Sequence, residues 1–364
     1  MPVFFILIFV SYLLGNIYVF VRGLQVIGHL SPVFRMIFSI VYVMLALLLV
    51  VMIFLRGSKH VPASLGHILF QVGSGWLVFI LYMVVFLLCF DLIRVFNHSF
   101  HYGFHISILL TISLLVYGYI NYQHPIKQVI NIPVSKSVPQ QDKIKIVAVS
   151  DWHLGLGTNM KRLKKDVDRI NAEKPDLILI AGDLIDNDVT TVVMQEMDRE
   201  INRLHAPMGV YMAPGNHEYI SGIDKSVDFI KKTTLTILKD SMVTLPCGLQ
   251  IIGRDDISNR HRMSAKEWAA LTDSSKPIIL IDHQPNQLAD AQLIGADLQV
   301  SGHTHNGQFI PITFLTNNLF ELGYGYKKSG DTHYYVTSGI ALWGPPFRIG
   351  TKSEIAVVGV EFRE

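Results

Sequence analysis

Seven residues at five places in the 364-residue sequence carry donor groups of the kind that gather round metal ions. They are Asp151, His153, Asp183, Asn216, His283, His303 and His305. Each place follows a short apolar run. Residues 144–150 lead into Asp151-Trp152-His153, and 177–181 into Gly182-Asp183-Leu184-Ile185-Asp186. Residues 210–213 precede Gly215-Asn216-His217-Glu218, 278–282 precede His283, and 298–301 precede Gly302-His303-Thr304-His305. In open α/β sheets ligand sites gather at the carboxyl ends of the strands, so one shared site is expected.

Oxygen and imidazole donors without thiolate suit divalent ions of intermediate hardness such as Mn, Fe or Zn. Seven candidates are too many for one four-coordinate zinc and about right for two ions sharing a carboxylate. Two ions roughly 3.5–4 Å apart clamp the attacking and leaving oxygens of a displacement at phosphorus and acidify bound water. The chemistry indicated is hydrolysis of a phosphate ester. Taken singly the motifs say less: Asp-x-His after a strand also reads as a turn Asp beside a surface His, and Gly-Asp as ordinary turn chemistry. Five such strand ends in succession have no structural explanation of that kind.

Together, Asp151-x-His153, Gly182-Asp183, Gly215-Asn216-His217-Glu218, His283 and Gly302-His303-x-His305 resemble the five-block signature of the calcineurin-like metallophosphoesterases, over residues 145–364. Gly307-Gln308 resembles the bacterial membrane-associated branch similar to YkuE and YaeI, with Asn306 where that branch usually has Gly. The resemblance implies a two-sheet sandwich flanked by helices with a dinuclear centre. Asp151, His153 and His305 would hold one ion, Asn216, His283 and His303 the other, and Asp183 would bridge them. His217 would not be a ligand; it would protonate the leaving oxygen or stabilise charge on phosphorus. Asp186 matches a position that orients this histidine in some members, and it reads equally as a helix cap. The protein-phosphatase branch has Arg where this chain has Asn187, so that activity is not implied.

The elements that must position these residues form an α/β pattern from residue 143 onward, with helices expected at about 159–173, 190–204, 223–233, 265–271 and 285–293. Ahead of them the composition changes. The whole chain has 31 Lys and Arg and 29 Asp and Glu, yet residues 1–125 hold only Arg22, Arg35, Arg56, Lys59, Arg94 and Asp91. Four stretches, 3–21, 33–55, 68–90 and 104–122, approach the roughly 20 apolar residues needed to cross a bilayer as a helix. The expected organisation is therefore a transmembrane region over 1–123, an extended linker with three prolines over 124–142, and a catalytic domain over 143–364. A formal net charge of +2 excludes a strongly basic protein that binds nucleic-acid duplexes. Cys89 and Cys247 make no disulfide framework.

With a cytoplasmic N-terminus, Arg56, Lys59, Lys127, Lys136 and Lys143 lie inside against Arg22, Arg35 and Arg94 outside, which favours a cytoplasmic catalytic domain at the plasma membrane. His98, His101 and His105 can share a helical face, a spacing that could bind a metal or haem, but with no facing ligand set evident the favoured reading is interfacial histidines at the head-group level. Arg254 and Arg348, in loops after short strands, are candidate phosphate clamps or else surface arginines. The function expected is a membrane-anchored phosphoesterase acting on phosphodiester, phosphomonoester or pyrophosphate bonds, with metal-activated hydroxide as nucleophile and His217 as acid. Its partners would be the lipid bilayer and a phosphorylated small molecule or lipid. The alternatives are an anchored hydrolase of soluble nucleotides or phosphodiesters, and a metal-binding sensor or scaffold without turnover.

Overall fold

The computed structural model describes residues 2–55, 61–139 and 141–363, apart from the side chains of residues 2–5 and 55. Arg56 and Lys59 of the charge comparison lie outside the described residues. The chain divides into two compact units. One holds the apolar helices up to Ile120 together with Gly344–Ile349; the other holds Asn121–Trp343 and Gly350–Glu364.

In the helical unit, α1 (Pro2–Val26), α2 (Pro32–Leu55), α3 (Ala63–Phe96) and α4 (Gly103–Gln123) are long and apolar enough to cross a membrane. A helix satisfies its backbone polar groups internally, as hydrocarbon demands. The helices pack through Val19, Tyr42, Ile80, Met83, Leu87 and Phe104. Small residues allow close approach: a Cβ on Gly73 would come within 3.0 Å of the Leu49 backbone nitrogen. Several polar groups inside are matched. Asp91 accepts from Arg22 at 2.6 Å and from the Tyr18 hydroxyl at 2.5 Å. The buried Asn16 accepts from Trp76 Nε1 at 3.0 Å through its side chain and from Tyr42 through its carbonyl.

The second unit begins with the last turn of α4 and contains twelve strands among the described residues. These are β1 (Ile126–Val134), β2 (Lys143–Val149), β3 (Leu177–Ala181), β4 (Val210–Ala213), β5 (Thr236–Ile237) and β6 (Ser241–Thr244). They continue with β7 (Gln250–Gly253), β8 (Ile278–Ile281), β9 (Leu298–Ser301), β10 (Gly325–Ser329), β11 (Thr332–Val336) and β12 (Glu354–Phe362). One sheet runs β1-β12-β2-β3-β4-β5 and the other β10-β11-β9-β8-β7-β6. Side chains alternate across each strand. Ile144, Ile146, Leu177 and Leu179 meet Ile251, Ile279, Ile281 and Val300 in one core between the sheets, as in a sandwich. Ile178 and Ile180 face outward onto α5 (Met160–Ala172), whose Leu163, Val167 and Ile170 recur at helical spacing. Asn159 caps that helix by accepting from Arg162 N at 3.1 Å.

Two expectations are corrected. The segment 124–142 is not a linker, because Ile126–Val134 pairs in parallel with β12, from Ile126 opposite Glu354 to Val134 opposite Phe362. Pro133 is tolerated because β1 is an edge strand, where the missing donor faces no neighbour, and Ile132 and Val134 fill the inter-sheet core. The helix expected over 190–204 is two: α6 (Val189–Met194) and α7 (Met197–Ile201), separated by Glu196 at φ +51°. The helices that follow are α8 (Asn216–Ile220), α9 (Ile223–Ile230), α10 (Ala265–Leu271), α11 (Leu288–Ile294) and α12 (Ile312–Leu319).

Candidate metal centre

Strands β2, β3 and β4 run parallel to one another, as do β7, β8 and β9. The loops at their carboxyl ends deliver the seven candidate ligands to one place. Donor atoms within 4.8 Å of one another form three overlapping groups: Asp151, His153 and His305; His153, Asp183 and His217; and Asp183, His283 and His303. Asn216 joins the third, with Oδ1 3.2 Å from His283 Nε2. Asp183 Oδ2 lies 3.8 Å from His153 Nε2 and 3.1 Å from His283 Nε2, between the two ends of the cluster. Among the described residues, His98, His101 and His105 belong to no such group.

The loops hold these groups under strain. Asp151, His153, Asp183, His303 and His305 all have φ between +46° and +71°, a region costing roughly 1–2 kcal/mol for a residue with a Cβ. Such outliers persist where surrounding bonds overdetermine them. His303 N donates to both Asp151 carboxylate oxygens at 3.1 Å, and His153 N to the Asp183 carbonyl at 3.0 Å. The motif glycines allow close approach: a Cβ on Gly302 would come within 2.5 Å of Asp151 Oδ2, and one on Gly182 within 2.5 Å of His283 Nδ1.

Glu218 is the residue whose part the sequence reading left out. Its Oε2 accepts from Asp183 N at 3.0 Å and Gly215 N at 2.7 Å, and its Oε1 from Ile185 N at 3.0 Å. One buried carboxylate thus ties the β3 loop to the β4 loop. Burial, with the charge of Asp183, pushes it up to about 7 against the pull of those donors.

The donor set fits divalent metal ions. His153 Nε2 and His305 Nε2 face each other at 3.1 Å, with Asp151 Oδ1 3.9 and 3.6 Å from them, an arrangement in which imidazole nitrogens converge on a common point. His283 Nδ1 lies 2.7 Å from the Ala181 carbonyl, which directs Nε2 towards Asp183. Burial lowers His283, but the neighbouring Asp183 outweighs it and holds the ring well above its ordinary range. Burial opposes ionisation of Asp183, and the charge of His283 reverses this to hold the carboxyl well below its usual range. His303, buried and facing charged His283, falls to about 4.

His217 is held differently. Its Nδ1 lies 2.5 Å from the Asp186 carbonyl and 3.3 Å from Asp186 Oδ1, and its backbone N donates to Asp183 Oδ1 at 2.9 Å. Burial lowers its pKa, but hydrogen bonding to Asp186 and the charges of Asp183 and Asp186 raise it to about 9. Asp186 also lies 3.4 Å from His153 Nδ1 and so touches both rings. The helix cap belongs to Asp188, which accepts from Thr190 N at 2.5 Å. Trp343, half exposed, stands edge-on to His217 with ring centroids 6.4 Å apart.

The two arginines proposed for phosphate are both buried. Arg254 is buried, with Nη1 3.0 Å from Asp282 and 2.8 Å from Asp290, so carboxylates of the chain occupy its fork. Arg348 is fully buried, and its backbone N donates to the Gly118 carbonyl at 3.0 Å.

Residues 144–307 match the family model described as calcineurin-like phosphoesterase. An uncharacterized metallophosphoesterase of Campylobacter jejuni is 28% identical over 99% of this chain and 98% of its own length, a span that includes the apolar helices. A Danio rerio protein described as a transmembrane protein with metallophosphoesterase domain is 31% identical over 69% of this chain and 61% of its own. The uncharacterized metallophosphoesterase YkuE of Bacillus subtilis is 31% identical over 66% of this chain and 88% of its own. With that identity along nearly the whole of YkuE, the chain belongs to the calcineurin-like metallophosphoesterases, metal-dependent hydrolases of phosphoric esters, and its four apolar helices make it a membrane protein of that family.

Proposed function

We propose that the chain is a membrane-anchored dinuclear phosphoesterase that hydrolyses phosphodiester, phosphomonoester or pyrophosphate bonds. The observation that carries this is the position of Asp183 Oδ2 between His153 and His283, where one carboxylate can serve two ions. Asp151, His153 and His305 would hold one ion, Asn216, His283 and His303 the other, with Asp183 shared. When bound, two divalent ions such as Mn, Fe or Zn would polarise the phosphoryl oxygens and acidify a coordinated water.

His217 supplies the proton. Asp186 engages its Nδ1 and keeps the ring protonated, so Nε2–H is the group left to donate to the leaving oxygen. Asp186 is a positioning residue, and Glu218 fixes the distance between the loops of Asp183 and His217. Trp343 supports a second reading, in which an anchored enzyme takes soluble nucleotides, since its exposed ring beside His217 offers a stacking face for an aromatic leaving group. A sensor without turnover has no use for a protonated histidine beside the ligands.

Cytoplasmic placement at the plasma membrane rests on the Lys and Arg comparison, and labelling of a cysteine introduced at Lys231 from either side of sealed vesicles tests it. For the activity, the full-length protein in detergent is stripped of metal and reloaded singly with Mn, Fe, Zn, Ni, Co or Mg. We expect release of nitrophenol from bis-p-nitrophenyl phosphate or p-nitrophenyl phosphate with at least one metal, at two ions per chain. Absence of turnover with every metal overturns the assignment.

A further inference from the structure

Helix α12 (Ile312–Leu319) belongs to the segment just after the metal-centre histidines, and its apolar side chains are uncovered. Among its eight residues only Thr316 is buried. Ile312, Leu315 and Leu319 recur at three and four residues and form one stripe, 41%, 48% and 68% exposed. Phe314 and the preceding Ile310 are exposed as well. At the other end Phe320 turns back to His303, with ring centroids 6.0 Å apart. The segment that carries the stripe thus follows the metal-centre histidines in sequence and returns to one of them through Phe320. A clustered apolar surface of this kind marks contact with protein or membrane.

The chain itself favours a membrane. The last turn of α4, the end of an apolar span, is bonded into the catalytic unit: Asn121 Nδ2 donates to the Thr351 carbonyl at 2.8 Å. The Thr351 hydroxyl donates to the Gln308 carbonyl at 2.7 Å. A Cβ on the adjoining Gly350 would come within 2.6 Å of Ile310 Cδ1. Two contacts thus lead from the end of a membrane span to the start of the uncovered segment. A short helix with one apolar face, tied through these bonds to the residues that end a membrane span, has the form of an interfacial helix lying in the head-group and acyl boundary.

We propose that the Ile312–Leu315–Leu319 face of α12 inserts into the bilayer in which the chain is anchored, and that it presents lipid head-group phosphates to the metal centre. This rests on the phosphoesterase reading for its second half only. The first half is tested without turnover. In full-length protein lacking Cys89 and Cys247, a nitrobenzoxadiazole probe is placed at Leu319→Cys or, as control, at Ser275→Cys in the exposed loop before β8. In nanodiscs of phosphatidylethanolamine and phosphatidylglycerol carrying doxyl-labelled lipid, the Leu319 probe should emit to the blue and be quenched, and the control should not. Quenching equal to the control, or shielding that instead rises with protein concentration in detergent, overturns the insertion and in the latter case assigns the face to a second copy.

The second half uses bis-p-nitrophenyl phosphate turnover in nanodiscs with and without phosphatidic acid. Phosphatidic acid should compete with the soluble ester in the unsubstituted protein. Competition should weaken by roughly tenfold or more in Leu315→Asp/Leu319→Asp, the scale set by removing buried apolar side chains, while turnover without phosphatidic acid stays within about twofold. No competition in the unsubstituted protein, or equal competition in the variant, overturns the presentation of lipid phosphate. If the soluble ester is not hydrolysed at all, the phosphoesterase reading fails and the quenching result still decides the surface.

Discussion

The apolar helices and the metal centre treat carboxylate charge in opposite ways. Asp91, the one acid among residues 1–125, is met by Arg22 and a tyrosine hydroxyl within the helices. Asp151 and Asp183 are met only by imidazoles among the described ion pairs, in a cluster where two ring nitrogens face each other at 3.1 Å. Backbone conformation divides the same way. Among the described residues, the helices have no non-glycine residue with positive φ, whereas five of the seven candidate ligands have it. A polar group that serves stability is neutralised locally in relaxed backbone. Groups assembled for an external cation are left facing one another, on backbone that other bonds must hold in place.

Substitutions can break this contrast from either side. The largest effect is expected from Asp183→Asn, which removes the carboxylate placed between both ends of the cluster. Metal content should fall together with activity by more than about a hundredfold, beyond the usual effect of an outer-shell partner; retention of two ions by mass spectrometry would place the bridge elsewhere. His217→Ala should keep both metals and lower kcat by roughly 10²–10⁴-fold, the usual contribution of an acid. Full turnover in that variant would remove His217 from the reaction.

Asp186→Asn is expected to act through His217. The carboxylate helps raise the ring from its ordinary value of 6.5 to about 9; without it the ring loses its proton at lower pH. The alkaline limb of the kcat profile should therefore move to lower pH, with activity in acid better preserved. An unmoved limb would show that Asp186 does not position the acid. The smallest effect belongs to the helices. Arg22→Gln leaves Asp91 with Tyr18, and thermal unfolding in nanodiscs should register about 0.6–2 kcal/mol, with soluble-ester turnover unchanged. A loss of turnover there would show that charge in the helices and charge at the metal centre are not independent.

The five motifs were legible because each ligand follows an apolar run long enough to be a strand, and strand ends converge by topology. The strands β3, β4 and β9 and helix α10 (Ala265–Leu271) lie at the residues the pattern marks. Glu218 was visible as a motif letter, but its work is to accept backbone donors from two loops distant in sequence, which no spacing reveals. Pro133 hid β1, since a proline weighs against a strand until the edge position is known. Arg254 read as a phosphate clamp because the sequence does not show that Asp282 and Asp290 fold onto it. The apolar residues of α12 carry no motif; which face lacks a cover is a property of the assembled fold.

The last turn of the fourth apolar helix has a practical consequence. Arg162 bonds Asp166 through Nε, donates to the Tyr122 carbonyl at 3.1 Å and lies 4.5 Å from the Tyr122 ring centroid, while Arg169 reaches the Gln123 carbonyl. A chain trimmed to start at Lys143 loses those partners and also loses β1, uncovering nine residues of β12 as an open edge that invites aggregation. The natural place to divide anchor from hydrolase is therefore not the proline-containing stretch between them. A protease cutting there would not shed a soluble enzyme; it would unpick one of its sheets.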